Sequence, residues 1–419
     1  MNVGEPARPE PVERAYKDAL AWLCGTQRFG IKLGLENSQR LLHELDVPAK
    51  GQRVLHVAGT NGKGSVCAMI DAICRAQGYR TGLFTSPHLV TYRERIQVDG
   101  EMIAEEEAAE GLTTIRNRIS EWKPHPTFFE ITTALGLIHF KERACDVIIL
   151  ETGLGGRLDA TNAVKPVVSV ITPIGYDHQS WLGNTLEEIA GEKAGIIQPH
   201  IPVVSAVQKS AAGKVIRARA AECEAPLQIV SEPYRATPIA LTGTHQKQNA
   251  ALAIAALQFG GIAVQKPAIV QGLAKVNWPA RFQHWDERTI IDGAHNPGGS
   301  RVLADTWREQ FADERATTIL AILSDKDLRG VCEALAPISD SVVFPRIRSQ
   351  RATDPEALAQ IFSTINPRLQ YSISSSIVDA FEIARAKPNP ILVTGSLHFA
   401  GEALAALSGQ AAAFEECAQ

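Results

Sequence analysis

The sequence predicts an α/β protein made of two mainly parallel sheet units, a large one followed by a smaller one. Two observations carry this. Short, β-branched apolar runs alternate with segments of helical period along most of the chain, and those runs are apolar on both faces, as strands covered by helices on each side must be. A break then falls at "VNWPARFQHWDER" (Val276 to Arg288), after which the alternation starts again. A chain of 419 residues is also long for one core, given a prior of roughly 150 residues per domain.

In order, "RVLHVAG" (Arg53 to Gly59) reads as a buried strand ending in glycine. "KGSVCAMIDAICRAQG" follows as a helix, with Val66, Met69, Ile70 and Ile73 at helical spacing and Gly78 as its stop. "YRTGLFT" returns as a strand, and "PTFFEITTALGLIHFKER" is a long buried helix starting near Pro126, proline being tolerated in a first turn. "CDVIILETG", "PVVSVITPI" and "IPVVSAV" are three more buried strands. Past the break, "TIIDGAHNP", "TTILAILSD", "DSVVFPRI", "LQYSIS" and "PILVTGS" are five strands, each followed by a helical pattern, which is a small unit of Rossmann type. The expected fold is therefore a large P-loop NTPase-like, mainly parallel domain over residues 1–280 and a smaller Rossmann-like α/β domain over 285–419. No repeat or low-complexity segment interrupts this order.

Composition excludes several classes. The net charge of -4 gives no reason to expect nucleic acid or an anionic membrane as partner. The seven cysteines form no C-x-x-C pair and are odd in number, so reduced thiols are expected rather than a zinc cluster or a disulfide framework. "MNVGEPARPEPVERAYKD" has prolines and charges where a signal peptide needs an apolar run. The longest uncharged stretch, Gln248 to Gln265, is Ala-rich with internal glutamines and reads as a packed helix and turn. A cytoplasmic protein is expected.

The most informative stretch is "HVAGTNGKGSV" (His56 to Val66). It departs from the common G-x-x-x-x-G-K-[ST] spacing, with Val57 at the first glycine position and the hydroxyl one residue late at Ser65. Its setting is nonetheless that of a phosphate cradle, a strand, a glycine-rich turn and then a helix N-terminus. Gly59, Gly62 and Gly64 let the backbone approach, Lys63 brings charge, and Ser65 is a hydroxyl suited to Mg²⁺. By itself the stretch also admits a glycine-rich turn with a solvated lysine.

Other stretches remove that ambiguity. "GTNGKGS", "TSPHLVTYRERIQVDG", "FFE", "ETGLGGRLDATN", "DHQSWLG" with "GEKAGI", and "DGAHNP" run in one order from residue 59 to residue 297. Together they resemble the folylpolyglutamate synthase family of amino-acid-adding ligases, which is related to the Mur ligases, and most closely its bifunctional bacterial type. The resemblance implies an ATP-dependent carboxylate–amine ligase that adds L-glutamate to dihydropteroate, and to the glutamyl tail of reduced folates, through an acyl phosphate. It implies ATP and Mg²⁺ (two ions) as cofactors, with a monovalent cation as a further option, small-molecule substrates only, and a monomer.

Residue by residue, the resemblance assigns Asn61, Gly62, Lys63, Gly64 and Ser65 to the phosphates. Asn249 of "THQKQNAAL", Arg281 of "WPARF", and Asp292 and His295 of "DGAHNP" are assigned to the nucleotide. Ala280 stands where the family has glycine, which puts the local turn in question. Ser86, Glu151 and His178 match the metal ligands, each at or just beyond a predicted strand end. Lys193 of "GEKAGI" matches a lysine carried as a carbamate; an ordinary helix pairing with Glu188 or Glu192 is the alternative. Lys63, Lys193 and His178 are the catalytic candidates. Ile31, Lys32, Leu33, Thr127, Phe128, Phe129, Glu130, Leu158, Asp159 and Ala160 match the pterin side, although Phe128 and Phe129 have the spacing of core residues.

Three other readings compete. A Mur-type ligase shares the phosphate loop, but no UDP-binding domain precedes it here and the flanking motifs are of the folate type. A synthase that only extends polyglutamate tails is not separated by sequence. A non-catalytic nucleotide switch would need an N-K-x-D guanine motif, which is missing.

Overall fold

A computed structural model describes residues 11–30 and 34–415. The first sheet is built from β1 (Arg53–Ala58), β2 (Thr81–Phe84), β3 (Ile96–Val98), β4 (Glu101–Met102), β5 (Val147–Glu151), β6 (Val168–Ile171), β7 (Val203–Ala206) and β8 (Leu227–Val230). Its order is β4-β3-β2-β5-β1-β6-β7-β8. From β2 to β8 every pairing is parallel, whereas β3 and β4 join antiparallel at one edge. The central strand, β1, is wholly apolar or buried after Arg53, as a strand covered on both faces requires.

The second sheet holds β9 (Gln283–His284), β10 (Thr289–Ile291), β11 (Ala316–Leu320), β12 (Ser339–Pro345), β13 (Gln370–Ser374) and β14 (Ile391–Thr394), in the order β13-β12-β11-β14-β10-β9. All pairings are parallel except β9 with β10. The ten strands expected from sequence are all present. The four not expected, β3, β4, β8 and β9, are two to four residues long. β8 is only half buried, and so lacks the continuous apolar run that marks its neighbours.

Helices cover both faces of the first sheet. Phe128–Glu142 packs in one apolar cluster, with Pro11–Gly25 and Glu105–Arg118; Lys63–Gln77 packs in another, with Thr244–Phe259. The helix expected from Pro126 begins two residues later. Thr127 Oγ1 accepts from Glu130 N (3.3 Å) and Glu130 Oε2 accepts from Thr127 N (2.7 Å), a capping box that fixes the start. Cys67, Cys74, Cys145, Cys223 and Cys332 are free buried thiols, as expected. Cys24 departs from that expectation, being disulfide-bonded.

Candidate active site

The carboxyl ends of β1, β5 and β6 open onto one cavity of about 2220 Å³, and the turn after β10 faces it from the second sheet. At the end of β1 the chain turns through Gly59 (φ +150°), where a Cβ would lie 1.9 Å from Thr172 Oγ1. Only glycine fits so close an approach. The amides of Thr60 and Asn61 donate to Pro173 O at 3.1 and 3.2 Å, so the loop is pinned to the strand beside it. Gly62 (φ +89°) is the N-cap of the helix Lys63–Gln77, whose N-terminus thus points into the cavity. A Cβ on Gly62 would meet Asn249 Oδ1 at 2.8 Å, and one on Gly64 would meet Trp278 Nε1 at 2.7 Å. Asn249 therefore braces the loop from behind, and the Trp278 indole lies over its first helical turn. Ser65 is buried, with Gln246 Nε2 3.5 Å from its hydroxyl.

Two lysines meet on one carbonyl. Lys63 Nζ donates to Gly59 O at 3.2 Å, and Lys193 Nζ, from the helix Leu186–Ala194, donates to the same oxygen at 2.9 Å. Lys193 is 5% exposed. Burial, reinforced by the Lys63 charge, pulls its amine down to about 7. The helix pairing that the sequence also allowed is not made. Glu188 Oε2 accepts the amides of Asn184 and Thr185, and Glu192 pairs with Arg157 at 2.7 Å.

Beside Lys63 lies Glu151, at the end of β5. Its Oε1 is 4.0 Å from Lys63 Nζ and its Oε2 accepts from Ser86 N at 3.2 Å. Burial raises the Glu151 carboxyl, opposed mainly by the Lys63 charge. The Ser86 hydroxyl is buried and has no hydrogen-bond partner within the protein. An orphaned hydroxyl next to a buried carboxylate, at the mouth of a phosphate loop, suits a hard divalent cation whose remaining positions go to water and phosphate oxygens.

His178 is arranged differently. It sits in the left-handed region (φ +51°), and its Nε2 is 3.3 Å from Lys326 Nζ, which also donates to Asp177 Oδ1 at 2.7 Å. Asp177 Oδ2 faces His295 Nε2 at 3.3 Å and accepts from Asn296 Nδ2 at 3.1 Å. Burial alone would raise Asp177, but the hydrogen bond and charge of His295, with the charges of His178 and Lys326, hold it well below the usual carboxylate range. Burial also lowers His178, to about 4. His178 thus belongs to this second cluster rather than to the Ser86–Glu151 pair, and among the described residues no three His, Cys, Asp or Glu side chains gather as a ready metal cage.

The second domain contributes two turns. Ala280, in place of the family's glycine, keeps the turn by itself adopting φ +55°, with its amide on Gln283 Oε1 and its carbonyl taking Gly293 N and Arg281 Nη1. An alanine there carries a strain of roughly 1–2 kcal/mol. Asp292 is buried, and its carboxylate accepts the amides of Phe282 (2.8 Å) and Ala294 (2.9 Å), so it ties the two turns together. Burial pushes that carboxyl up. His295 Nδ1 donates to Gly293 O at 2.9 Å, which turns Nε2 toward Asp177. Asn296 caps the helix Pro297–Phe311 through Gly299 N and also reaches Asn61 of the phosphate loop.

The opposite wall is apolar. Phe128 stands edge-on to Tyr92, and Phe129 lies against Phe84 and against Gly153, where a Cβ would be 2.5 Å from its ring. Thr127 and Glu130 line this wall while closing the capping box, and Glu130 Oε1 accepts from Ser38 at 3.2 Å. Leu158 and Ala160 line it as well. Asp159 is fully engaged with Gly153 N, Leu154 N, Thr161 N and the Thr161 hydroxyl, so it shapes the glycine-rich loop. Ile31, Lys32 and Leu33 lie outside the described residues. Every other candidate residue named from sequence lines this one cavity. Sequence reasoning missed Asp177, Lys326, Asn296 and Trp278. Of these, Lys326 carried a signal, since it follows directly on the predicted strand "TTILAILSD".

Residues 57–224 match the Mur ligase middle domain, and residues 280–397 match the Mur ligase glutamate ligase domain. A dihydrofolate synthase/folylpolyglutamate synthase of Bacillus subtilis is 38% identical, over 92% of this chain and 97% of its own length. Among solved structures, Mycobacterium tuberculosis folylpolyglutamate synthase complexed with ADP superposes with a TM-score of 0.86 at 32% identity, covering 94% of this chain and 98% of that one. The bifunctional folylpolyglutamate synthase/dihydrofolate synthase of Yersinia pestis, complexed with AMPPNP and Mn ion, gives a TM-score of 0.84 at 31% identity, covering 93% and 98%.

Proposed function

This chain belongs to the Mur ligase family, among its dihydrofolate and folylpolyglutamate synthases, and on that premise we propose that its cavity joins L-glutamate to folate-type carboxylates at the expense of ATP. The acceptors are dihydropteroate, which becomes dihydrofolate, and the glutamyl tail of reduced folates. The observation that carries the reading is the convergence of a phosphate loop, a hydroxyl–carboxylate pair and the "DGAHNP" turn of the second sheet on one cavity with an aromatic wall.

The acceptor carboxylate attacks the γ-phosphorus and ADP leaves with the bridging oxygen. The glutamate amine then attacks the acyl carbon, phosphate departs with its electron pair, and the amine gives up a proton. Such a sequence asks the protein for placement and charge rather than covalent help. Lys63 and the helix N-terminus at Gly62 face the phosphates, and Arg281 and His295 meet the nucleotide from the second domain. A divalent cation at Ser86 Oγ and Glu151 would neutralise phosphate charge there. His178 joins such a site only after Lys326 gives up its Nε2. Phe128 and Phe129 offer faces for a pterin ring. Lys193 is carried as a carbamate, which turns two cations crowded on Gly59 O into a cation and an anion.

Residues 1–280 are assigned as the ATP- and folate-binding domain and 285–419 as the glutamate-ligase domain. We read the protein as a cytoplasmic monomer; the five buried free thiols support a reducing compartment, whereas the disulfide at Cys24 does not. The test is ADP release by purified protein with ATP, glutamate and either dihydropteroate or tetrahydrofolate. Release should require both glutamate and an acceptor, and each acceptor should serve. Extension of tetrahydrofolate alone would refute the dihydrofolate synthase half; release with neither acceptor would refute the whole.

A further inference from the structure

The last described residues return to the first domain. After the helix Leu397–Leu407 and a short turn at Ala411–Ala413, Phe414 packs edge-on against His398 at 5.1 Å, and Glu415 settles on the loop that follows Ser86. The amide, the carbonyl and one carboxylate oxygen of Glu415 are all engaged there. Its amide donates to Val90 O at 2.8 Å and its carbonyl accepts from His88 Nε2 at 2.9 Å. Its Oε2 takes Tyr92 N (2.7 Å), the Thr91 hydroxyl (3.0 Å) and the Tyr16 hydroxyl (3.0 Å). Arg95 Nε donates to His88 Nδ1 at 2.9 Å, so Nδ1 is the acceptor and Nε2 bears the hydrogen that reaches the Glu415 carbonyl.

The same loop is gripped by the second domain. Leu89 and Val90 pack on its core cluster, and a Cβ on Gly401 would lie 1.9 Å from Leu89 O. The loop begins at Ser86, whose amide holds Glu151, and ends at Arg95, whose guanidinium is buried 5.4 Å from the Phe128 ring. Ser86, His88, Leu89, Arg95 and Glu415 all border the cavity.

We propose that Glu415 is a positioning residue for the ligase reaction, strapping the Ser86–Arg95 loop so that the Ser86 hydroxyl stays beside Glu151 where a divalent cation binds. The inference rests on the ligase reading of the cavity. Its effect runs from the tail, through Thr91, Tyr92 and His88, to the loop that carries Ser86. Glu94 also braces this loop, taking the amides of Leu89, Val90 and Thr91, but that brace is local and ties the loop to no other element.

The test compares Glu415→Ala, Glu415→Gln and a chain ending at Ala413 with the wild type by two measurements that need no turnover. Amide hydrogen exchange of residues 86–95 is followed without nucleotide or metal, and Mn²⁺ binding is titrated by electron paramagnetic resonance in the presence of ADP. Loss of a charge-assisted set of hydrogen bonds should speed exchange at Tyr92 by roughly ten-fold or more. The Mn²⁺ concentration for half-occupancy should rise by about ten-fold in the Ala and shortened chains. Metal-free ADP affinity should hold within about two-fold, and Gln, which keeps an acceptor in place, should recover most of both effects. Faster exchange with unchanged Mn²⁺ binding would mean a merely structural tail and would overturn the proposal, as would no change in either. Because both readings are independent of catalysis, a wild-type protein that ligates no folate would defeat the ligase reading and leave the strap to be judged separately.

Discussion

Asn61 and Asn296 exchange a reciprocal pair of hydrogen bonds, 3.0 and 3.2 Å, across the gap between the phosphate loop and the first turn of a helix in the other domain. Asn296 also caps its own helix through Gly299 N at 2.8 Å. One side chain therefore serves both helix stability and the junction of the two domains, and the two tasks can be separated. Asn296→Ser keeps a competent cap but is too short to reach Asn61. Its melting temperature should stay close to wild type while kcat/KM falls by about ten-fold, from the loss of the two bonds to Asn61 and of the one to Asp177. Asn296→Ala should lose about 1 kcal/mol of stability as well. A Ser variant with wild-type kcat/KM would show that the pair does not matter for catalysis.

Lys63→Ala should fold normally and lose activity by roughly a hundred-fold or more, because the phosphates lose a fixed cation in a partly dry site. Circular dichroism and steady-state ADP release decide it. A soluble variant with wild-type turnover would remove Lys63 from the mechanism.

Lys193 lends itself to a pH experiment. Carbamate formation needs the neutral amine, and burial holds this one at about 7. At one fixed concentration of dissolved CO₂, enzyme stripped of CO₂ should regain activity faster at pH 8 than at pH 6. Lys193→Ala should be inactive and partly restored by a short carboxylic acid, whereas Lys193→Arg should be inactive and unrestored, since a guanidinium keeps its charge. The stability sign follows from the same shift. The folded value lies below the unfolded value of 10.5, so between about 7 and 10.5 the unfolded chain binds more protons. The unmodified lysine's penalty is absent above that window and grows as pH falls through it. Equal recovery at pH 6 and pH 8 would count against the carbamate.

Lys326 is 6% exposed at its side chain and is the closest cation to Asp177. Lys326→Met should destabilise the fold by roughly 3 kcal/mol, because Asp177 is left buried with less compensating charge. Adding Asp177→Asn to that variant should return much of the loss, a non-additivity that urea denaturation of the four proteins measures. Strictly additive losses would mean that the pair is not coupled.

Much of this molecule was legible along the chain because its signals are local. A strand, a glycine turn and a helix start announce the phosphate loop within a dozen residues, and ten strands declare themselves as apolar runs. β3, β4 and β9 are too short to show any period. The capping box Thr127–Glu130 is also written in the sequence, as T-x-x-E before an apolar run. What sequence could not give is the partnership of residues far apart. Lys326 is 149 positions from Asp177, and Glu415 is 323 from Tyr92. Nothing in "SDKD" or "FEE" names the other end of such a bond, which the packing of two domains alone decides.

The placement of Trp278 over Gly64 has a practical consequence. An indole lying against the first turn of the phosphate-loop helix sits where the electric field changes when a polyanion arrives, and its emission is sensitive to that field. Of six tryptophans, Trp307 is sealed in the second core, and Trp181, which also borders the cavity, is 58% exposed and does not lie against the phosphate-loop helix as Trp278 does. Trp278 thus makes the protein its own optical probe: the difference in emission between wild type and Trp278→Phe isolates a signal from the nucleotide pocket, and occupancy can be watched in stopped flow without attaching a dye.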